Sequence, residues 1–377
     1  MALLAKIETA ALETAPAKVA VARPRLPVAE AILPYLERID EARWYSNFGP
    51  MVVELERRLA ARLGEETLVC TASNATQALA LALKAMDLPE GALCAMPAWT
   101  FVATAHAVIQ AGLVPWFLDV DADSWMLTPG HVRAALARAP GPVAAVIPVC
   151  PFGAMPDLAA WRDFREATGV QVLVDAAAAF DALEAADPPV CVSLHATKVL
   201  GIGEGGFFAT TDPGLYDRFV RLTGFGFRGS RDSLFPSTNA KLSEYAAAVG
   251  LAALDEWPME RLRYLRVSQL LRIALLPHGH VRFQPGWGSD WVTSVCVARL
   301  PDGSADQVES MLQSFGVDTR RWWGVGCHRS PAFAGCPRED APVTDLLAVS
   351  TIGLPFAVDL SPEQMQRIAQ ALGAALG

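Results

Sequence analysis

Lys198 is the residue whose type and setting point most directly to chemistry. It closes the segment 193–198 (SLHATK), and the glycine-rich turn 203–206 (GEGG) leads from it into an apolar run. The chain has only five lysines, and its other permanent positive charges are arginines, which cannot form an imine. A buried lysine amine with a lowered pKa can form one. Lys198 is therefore a candidate Schiff-base residue, although a lysine reaching to solvent from a strand end fits the same pattern.

Two other segments could hold parts of a ligand. Asn74, Ala75 and Thr76 open a predicted helix, where free backbone N–H groups and the helix dipole favour a phosphate. An ordinary N-cap would look the same. Asp175 follows the predicted buried strand 170–174, at the strand end where α/β folds bind ligands, but it could equally cap the next helix. An acid for a pyridine nitrogen, an imine-forming lysine and a phosphate-binding helix start are what a pyridoxal phosphate (PLP) site requires.

The elements that would position these residues alternate along the chain. Short apolar runs rich in Val, Leu and Ile alternate with helical patterns, which is typical of an α/β fold whose mainly parallel sheet is covered on both faces. We expect a loosely held N-terminal extension (1–22), a large domain (23–255) and a smaller C-terminal α/β domain (256–377).

Composition excludes several classes of function. The net charge of −9 argues against a nucleic-acid-binding protein, and no apolar run is long and uninterrupted enough for a membrane span. The N-terminus does not fit a secretory signal. The seven cysteines have no framework spacing, which predicts reduced thiols and a cytoplasmic protein. Cys327, His328 and Cys336 lack a second paired motif, so we predict no metal site.

At this point the chain resembles the DegT/DnrJ/StrS family of PLP-dependent aminotransferases, most of which aminate nucleotide-linked keto-sugars. The resemblance covers roughly residues 21–376, with motifs in the family's order at 49–50, 73–76, 97–104, 119–121, 175–177, 193–206, 239–244 and 354–355. It implies fold type I, with a mostly parallel seven-stranded sheet in the large domain and a smaller C-terminal α/β domain. It also implies PLP, and its amino form pyridoxamine phosphate, as the cofactor.

The resemblance assigns roles to individual residues. Lys198 would form the Schiff base and Asp175 would pair with the pyridine nitrogen. Asn74, Ala75, Thr76 and Ser193 would hold the phosphate. Phe101 would stack on the cofactor ring, with Trp99 as the runner-up for that role. Asn239 would reach the phosphate from a neighbouring subunit, which implies a homodimer with shared active sites.

The expected substrates are L-glutamate as the amino donor and a nucleotide-linked keto-sugar as the acceptor. Segment 45–50 resembles members that make 4-amino-4,6-dideoxy sugars, which favours a 4-keto-6-deoxy sugar. Arg228, Arg231 and Lys241 are candidates for binding its diphosphate, and Trp322 is a further candidate contact. Arg320 and Arg321 are alternatives, and each of these charges could instead be a solvated surface residue.

Four positions depart from the family pattern and leave the substrate open. Ala75 replaces a glycine, Ala178 a glutamine or histidine near the cofactor's ring hydroxyl, Cys150 a histidine and Lys241 an arginine. Members that dehydrate sugars carry histidine in place of the lysine, so Lys198 favours transamination. Two alternatives remain: an enzyme of this family that acts on a non-sugar ketone, and a regulator that binds PLP without turnover.

Overall fold

The computed structural model describes residues 18–377. Within them the helices are α1 (Ala29–Ala42), α2 (Pro50–Leu63), α3 (Ala75–Ala85), α4 (Val102–Gln110), α5 (Pro129–Leu136), α6 (Leu158–Thr168), α7 (Pro213–Thr223), α8 (Glu244–Leu275), α9 (Ala305–Ser314), α10 (Pro342–Ser350) and α11 (Pro362–Leu376). The strands are β1 (Leu68–Ala72), β2 (Leu93–Pro97), β3 (Val114–Leu118), β4 (Val143–Val146), β5 (Gln171–Val172), β6 (Val174–Asp175), β7 (Val190–Ser193), β8 (Gly206–Thr210), β9 (Cys296–Arg299) and β10 (Thr351–Leu354).

The central strands form two four-stranded sheets, in the orders β1-β8-β7-β6 and β3-β2-β4-β5. Every pairing is parallel except those of β8, which runs antiparallel to both β1 and β7. The two sheets meet at Leu173, the one residue between β5 and β6, whose amide donates to the Val146 carbonyl at 3.1 Å. The structure confirms the mostly parallel α/β fold. It does not confirm one sheet of seven strands, because the hydrogen bonds define two sheets.

Helices cover both faces of these sheets, as the continuous apolar strands predict. Along β2, Leu93 and Ala95 belong to the hydrophobic core that includes α2, α6 and α8, whereas Cys94 and Met96 face the core that includes α3, α4 and α7. Side chains that alternate along a strand point to opposite faces, so each face of β2 is buried under its own layer of helices.

The C-terminal part packs around the antiparallel pair β9 and β10. The predicted division at residue 255 lies inside α8, which runs unbroken from Glu244 to Leu275. This boundary therefore stays a prediction. Among the described residues, no helix is both long and apolar enough to cross a membrane.

The predicted loosely held extension comprises residues 1–22, of which residues 1–17 lie outside the described residues. After that point the chain is held firmly. Val19 and Val21 are buried, and Val19 exchanges backbone hydrogen bonds with Gly316 and Asp318, both at 2.9 Å. Residues 19–21 therefore pack against the C-terminal part, with Val19 in the hydrophobic core, and the extension as a whole stays a prediction.

Candidate active site

A cavity of about 360 Å³ opens at the carboxyl ends of β6 and β7 and brings most of the predicted site residues together. Its walls contain eight of them: Asn74, Ala75, Thr76, Phe101, Asp175, Ser193, Lys198 and Trp322. The C-terminal part closes the cavity with Thr293, Ser294, Val295, Phe356 and Ala357. The cavity therefore lies between the central sheet and the C-terminal part of the chain.

The start of α3 forms one end of the cavity. Asn74 is the N-cap, and its side chain accepts a hydrogen bond from the amide of Gln77 at 2.9 Å. The amides of Ala75 and Thr76 lie in the first turn, where a helix provides no acceptors. Gly206 of β8 passes directly against this turn, since a Cβ there would lie 2.6 Å from the Ala75 nitrogen. Such a helix start can hold a phosphate.

Asp175 lies in the floor of the cavity with both carboxylate oxygens bound. One accepts from the Thr104 hydroxyl at 2.8 Å and the other from the Ala177 amide at 3.1 Å. Burial raises the pKa of Asp175, while these two hydrogen bonds and the charge of Lys198 act in the opposite direction. The carboxylate is therefore fixed in orientation, and no cationic side chain of residues 18–377 forms an ion pair with it.

Thr104 is a functional residue that sequence reasoning missed. Its hydroxyl also lies 2.9 Å from that of Thr100, one turn earlier along the chain. The only signal in the sequence was this pair of hydroxyls, four residues apart in an otherwise apolar segment.

Lys198 does not end a strand, contrary to expectation, because β7 stops at Ser193 and the lysine follows in a tight turn. The Lys198 amide donates to the His195 carbonyl at 2.8 Å, and the His195 ring bonds the Thr197 hydroxyl at 2.8 Å. Gly201 has to be a glycine in this turn, since a Cβ there would lie 2.7 Å from the Ala196 carbonyl oxygen.

The amine of Lys198 has no hydrogen bond or ion pair within the described part of the chain. Burial lowers its pKa, and the charge of Asp175 opposes that shift. An unpaired amine with a lowered pKa, open to a cavity, is suited to attack a carbonyl carbon and to move protons.

Aromatic side chains form the remaining walls. Phe101 is 56% exposed at the start of α4 and lines the cavity. Trp322 lines it as well, beside Trp323, which stacks on Phe152 at a centroid distance of 4.1 Å. Trp99 does not line the cavity, because it is buried edge-on against Trp323. Between the two candidates, Phe101 is thus the one with a face free for stacking.

Four predicted residues lie elsewhere in the single chain. Arg228, Arg231 and Lys241 line a second cavity of about 500 Å³, and Asn239 accepts a hydrogen bond from the Lys241 amine beside it. Arg228 also pairs with Asp217 at 2.9 Å. The fold of one chain does not bring these residues to Lys198.

Arg23 is the arginine that the sequence analysis did not consider. Among the described residues it is the only arginine that lines the Lys198 cavity. It forms an ion pair with Asp359 at 3.1 Å, and both side chains are more than half exposed. Such a pair is weak, so the guanidinium can turn to an anionic ligand at little cost. The alternatives Arg320 and Arg321 are engaged, Arg320 over the Trp322 ring and Arg321 with Asp306.

Comparisons with known proteins agree with this geometry. The model of the DegT/DnrJ/EryC1/StrS aminotransferase family matches residues 28–373. The dTDP-4-amino-4,6-dideoxy-D-glucose transaminase of Escherichia coli is 27% identical over 93% of this chain and 97% of its own. The erythromycin biosynthesis sensory transduction protein EryC1 of Saccharopolyspora erythraea is 30% identical over 89% and 93%. Among solved structures, DesI in the presence of its TDP-sugar product superposes with a TM-score of 0.85 at 31% identity, covering 94% of this chain and 92% of DesI.

Proposed function

Because the chain belongs to the DegT/DnrJ/EryC1/StrS aminotransferase family, we propose that it transfers an amino group from L-glutamate to a nucleotide-linked 4-keto-6-deoxy sugar. It is a PLP-dependent aminotransferase of fold type I. The observation that carries the proposal is the unpaired amine of Lys198, in one cavity with the buried carboxylate of Asp175 and the start of α3. The E. coli transaminase and DesI, which act on or bind dTDP- and TDP-linked sugars, support this class of acceptor.

The residues present fit the cofactor. Asp175 offers a fixed carboxylate for the pyridine nitrogen, and Lys198 offers an amine for the aldehyde carbon. The first amides of α3, with Thr76 and Ser193, offer donors for the phosphate. When bound, PLP supplies an electron-accepting ring that stabilises negative charge at the substrate carbon.

The chain itself supplies orientation and proton transfer. Once its amine is free, the nitrogen of Lys198 would take the proton from the carbon that bears the donor's amino group. Its ammonium form would then deliver that proton to the carbon that carried the cofactor's aldehyde. Its lowered pKa makes the neutral amine available closer to neutral pH. The Thr104 hydroxyl and the Ala177 amide hold the Asp175 carboxylate in place throughout the reaction.

The anionic groups of the substrates need cations to bind them, and we propose that these cations come from two parts of the protein. Arg23 binds a carboxylate of the donor, exchanging Asp359 for it. Asn239, Arg228, Arg231 and Lys241 act from a second copy of the chain, so the active unit is a homodimer with shared sites. Arg228, Arg231 and Lys241 line a separate cavity of the single chain and Asn239 is bonded to Lys241, which supports this, because none of the four lines the Lys198 cavity. Trp322 lies in the cavity wall as an apolar contact for the acceptor.

We also propose a cytoplasmic location. All seven cysteines are free thiols and six are buried. Such thiols are typical of proteins that work in a reducing compartment.

The proposal is tested by loading the protein with PLP and following its visible absorbance. L-Glutamate should bleach the absorbance and yield 2-oxoglutarate. The pyridoxamine phosphate form should then aminate a nucleotide-linked 4-keto-6-deoxy sugar, with 3-keto sugars and simple ketones as comparison acceptors. Absorbance that no amino donor bleaches would contradict an aminotransferase and favour a PLP-binding regulator. Turnover of simple ketones alone would favour the non-sugar alternative.

A further inference from the structure

Thr293 presents a free hydroxyl to the Lys198 cavity. The residue is only 2% exposed, yet it lines the cavity. Its hydroxyl has no hydrogen-bond partner among the described residues, and it is not one of their fully enclosed unpaired polar atoms. A hydroxyl that is neither bonded nor enclosed, on a residue otherwise surrounded by protein, must face the cavity. A hydroxyl that faces the cavity without a protein partner is available to a ligand bound there.

Thr293 lies near Ala178, the position at which the family usually has a polar side chain. Both approach Gly153, in the turn after β4. A Cβ at Gly153 would lie 3.1 Å from the Thr293 Cβ and 3.2 Å from the Ala178 carbonyl oxygen. Ala178 has no polar side chain, and the Cys150 thiol is in contact with the Met155 sulfur at 3.4 Å. Among the described residues, Thr293 is therefore a cavity-lining hydroxyl residue whose side chain approaches Gly153 at this wall.

The strand order shows on which side of Asp175 this part of the cavity wall lies. The start of α3 follows β1, and the order β1-β8-β7-β6 places it on one side of Asp175. The segment after β4, whose Val149 forms a parallel bridge with Asp175, lies on the other side, with Gly153 just beyond it. Thr293 and the phosphate-binding helix start thus flank Asp175 from opposite directions.

The covalent structure of PLP fixes the position of its ring hydroxyl relative to its phosphate arm. Its phosphate arm and its ring hydroxyl occupy the two ring positions that flank the aldehyde-bearing carbon. With the ring nitrogen at Asp175, the aldehyde carbon at Lys198 and the phosphate at the start of α3, the ring hydroxyl must point to the β4 side. This step rests on the assignments made for the proposed function.

We propose that the Thr293 hydroxyl donates a hydrogen bond to the ring hydroxyl oxygen of bound PLP, in place of the polar side chain missing at Ala178. A donor to that oxygen stabilises its negatively charged form. Thr293 is then a cofactor-contacting residue contributed by the C-terminal part of the chain. The ionisation of the cofactor's ring hydroxyl therefore depends on how that part packs against the central sheet.

The test compares Thr293→Val, which keeps the shape and removes the hydroxyl, with Thr293→Ser, which keeps the hydroxyl. Thr293→Val should raise the midpoint of the pH titration of the cofactor's visible absorbance by roughly one pH unit. It should also weaken equilibrium binding of PLP to the apoprotein about five- to ten-fold. Thr293→Ser should stay close to wild type in both measurements. Ser294→Ala removes the neighbouring cavity hydroxyl and should leave the midpoint unchanged.

A midpoint unchanged in Thr293→Val, or shifted equally by Ser294→Ala, would overturn the inference. So would a Thr293→Val enzyme altered only in its KM for the acceptor, since the hydroxyl would then bind substrate. If Thr293→Val does not fold, Thr293→Ala carries the same expectation. Failure of the proposed function would look different, because the wild-type protein itself would then show no absorbance that L-glutamate bleaches.

Discussion

The amine of Lys198 and the carboxylate of Asp175 line the same cavity without forming an ion pair with each other. Their charges still interact, since each opposes the effect of burial on the other's pKa. Asp175 is bound by Thr104 and Ala177, whereas the Lys198 amine has no hydrogen-bond partner in the described part of the chain. A direct ion pair would fill the space that a pyridine ring needs. Without such a pair among the described residues, the carboxylate stays fixed and the amine stays available to a cofactor in the cavity.

Replacing Lys198 with arginine keeps the positive charge and removes the group that can form an imine. We expect Lys198→Arg to show no visible absorbance of the lysine-bound cofactor, and to lose at least about 10³-fold in turnover. Spectra and single-turnover assays check this. Lys84→Arg, an exposed lysine in the last turn of α3, is the matched control and should behave as wild type. Lys198→Arg activity within ten-fold of wild type would contradict the role of Lys198.

Asp175→Asn keeps a side chain that can still bond Thr104 but removes the negative charge. We expect turnover to fall by about 10²-fold, because a neutral amide cannot keep the ring nitrogen protonated. Thr104→Val removes only one hydrogen bond to the carboxylate and should cost less, about ten-fold. Rate measurements on both variants, with PLP affinities as a check on binding, decide this order. The reverse order would show that orientation matters more than charge.

The sequence predicts that Lys198 and Asp175 belong to one site because each carries a local signal, and the fold brings both to one cavity. One is a rare lysine before a glycine-rich turn, and the other is a lone acid after an apolar strand. Thr104 has only the Thr100 hydroxyl four residues earlier as a signal, and Arg23 and Thr293 have none. A threonine in an apolar helix or an arginine beside prolines acquires a role only when distant segments fold together, as when residues 19–23 pack on the C-terminal core.

The same limit applies to Asn239 and its neighbours. Family resemblance named them, but a reading of one chain could not decide which cavity they enter. The fold places Arg228, Arg231 and Lys241 around a second opening, away from Lys198, and the proposed homodimer would bring them to the Lys198 cavity of a second copy. Helices and strands could be predicted from the spacing of apolar residues. The division of the sheet at Leu173 could not, because it depends on backbone hydrogen bonds to β4 that have no pattern in the sequence.

Glu56 predicts a pH dependence of stability. Burial raises its pKa to about 7, and the nearby charge of Glu244 adds to this, while hydrogen bonds from Thr71 oppose it. A carboxyl with a raised pKa in the folded state contributes stability below its unfolded value, and that stability is lost as the pH rises through 7. Glu56→Gln should therefore raise the free energy of unfolding at pH 8 by up to about 3 kcal/mol and change it little at pH 4.5.

Urea unfolding of the apoprotein at both pH values measures the effect of Glu56→Gln. Glu66→Gln, at an exposed glutamate in the loop after α2, serves as the control and should change neither value. Equal stabilisation by Glu56→Gln at both pH values would show that the gain does not come from titration of Glu56.

Arg23 predicts a change in donor binding. Arg23→Gln should raise KM for L-glutamate about ten-fold and leave kcat largely unchanged, since it removes one exposed charge-assisted contact. Asp359→Asn removes the partner and leaves Arg23 in place, so its KM should be equal to or below that of wild type. Steady-state kinetics with varied L-glutamate separate the two. An effect of Arg23→Gln on the acceptor's KM alone would assign Arg23 to the acceptor.

Shared active sites predict complementation between two defective variants. Lys198→Ala and Asn239→Ala should each have little activity, but if Lys198 and Asn239 come from different subunits, a mixed dimer contains one intact site. Co-refolding equal amounts should then restore about a quarter of the wild-type sites, because half of the dimers are mixed and each has one intact site of two. If both residues acted within one chain, every site in the mixture would carry a defect. Activity after co-refolding, compared with each variant refolded alone, decides between the two arrangements.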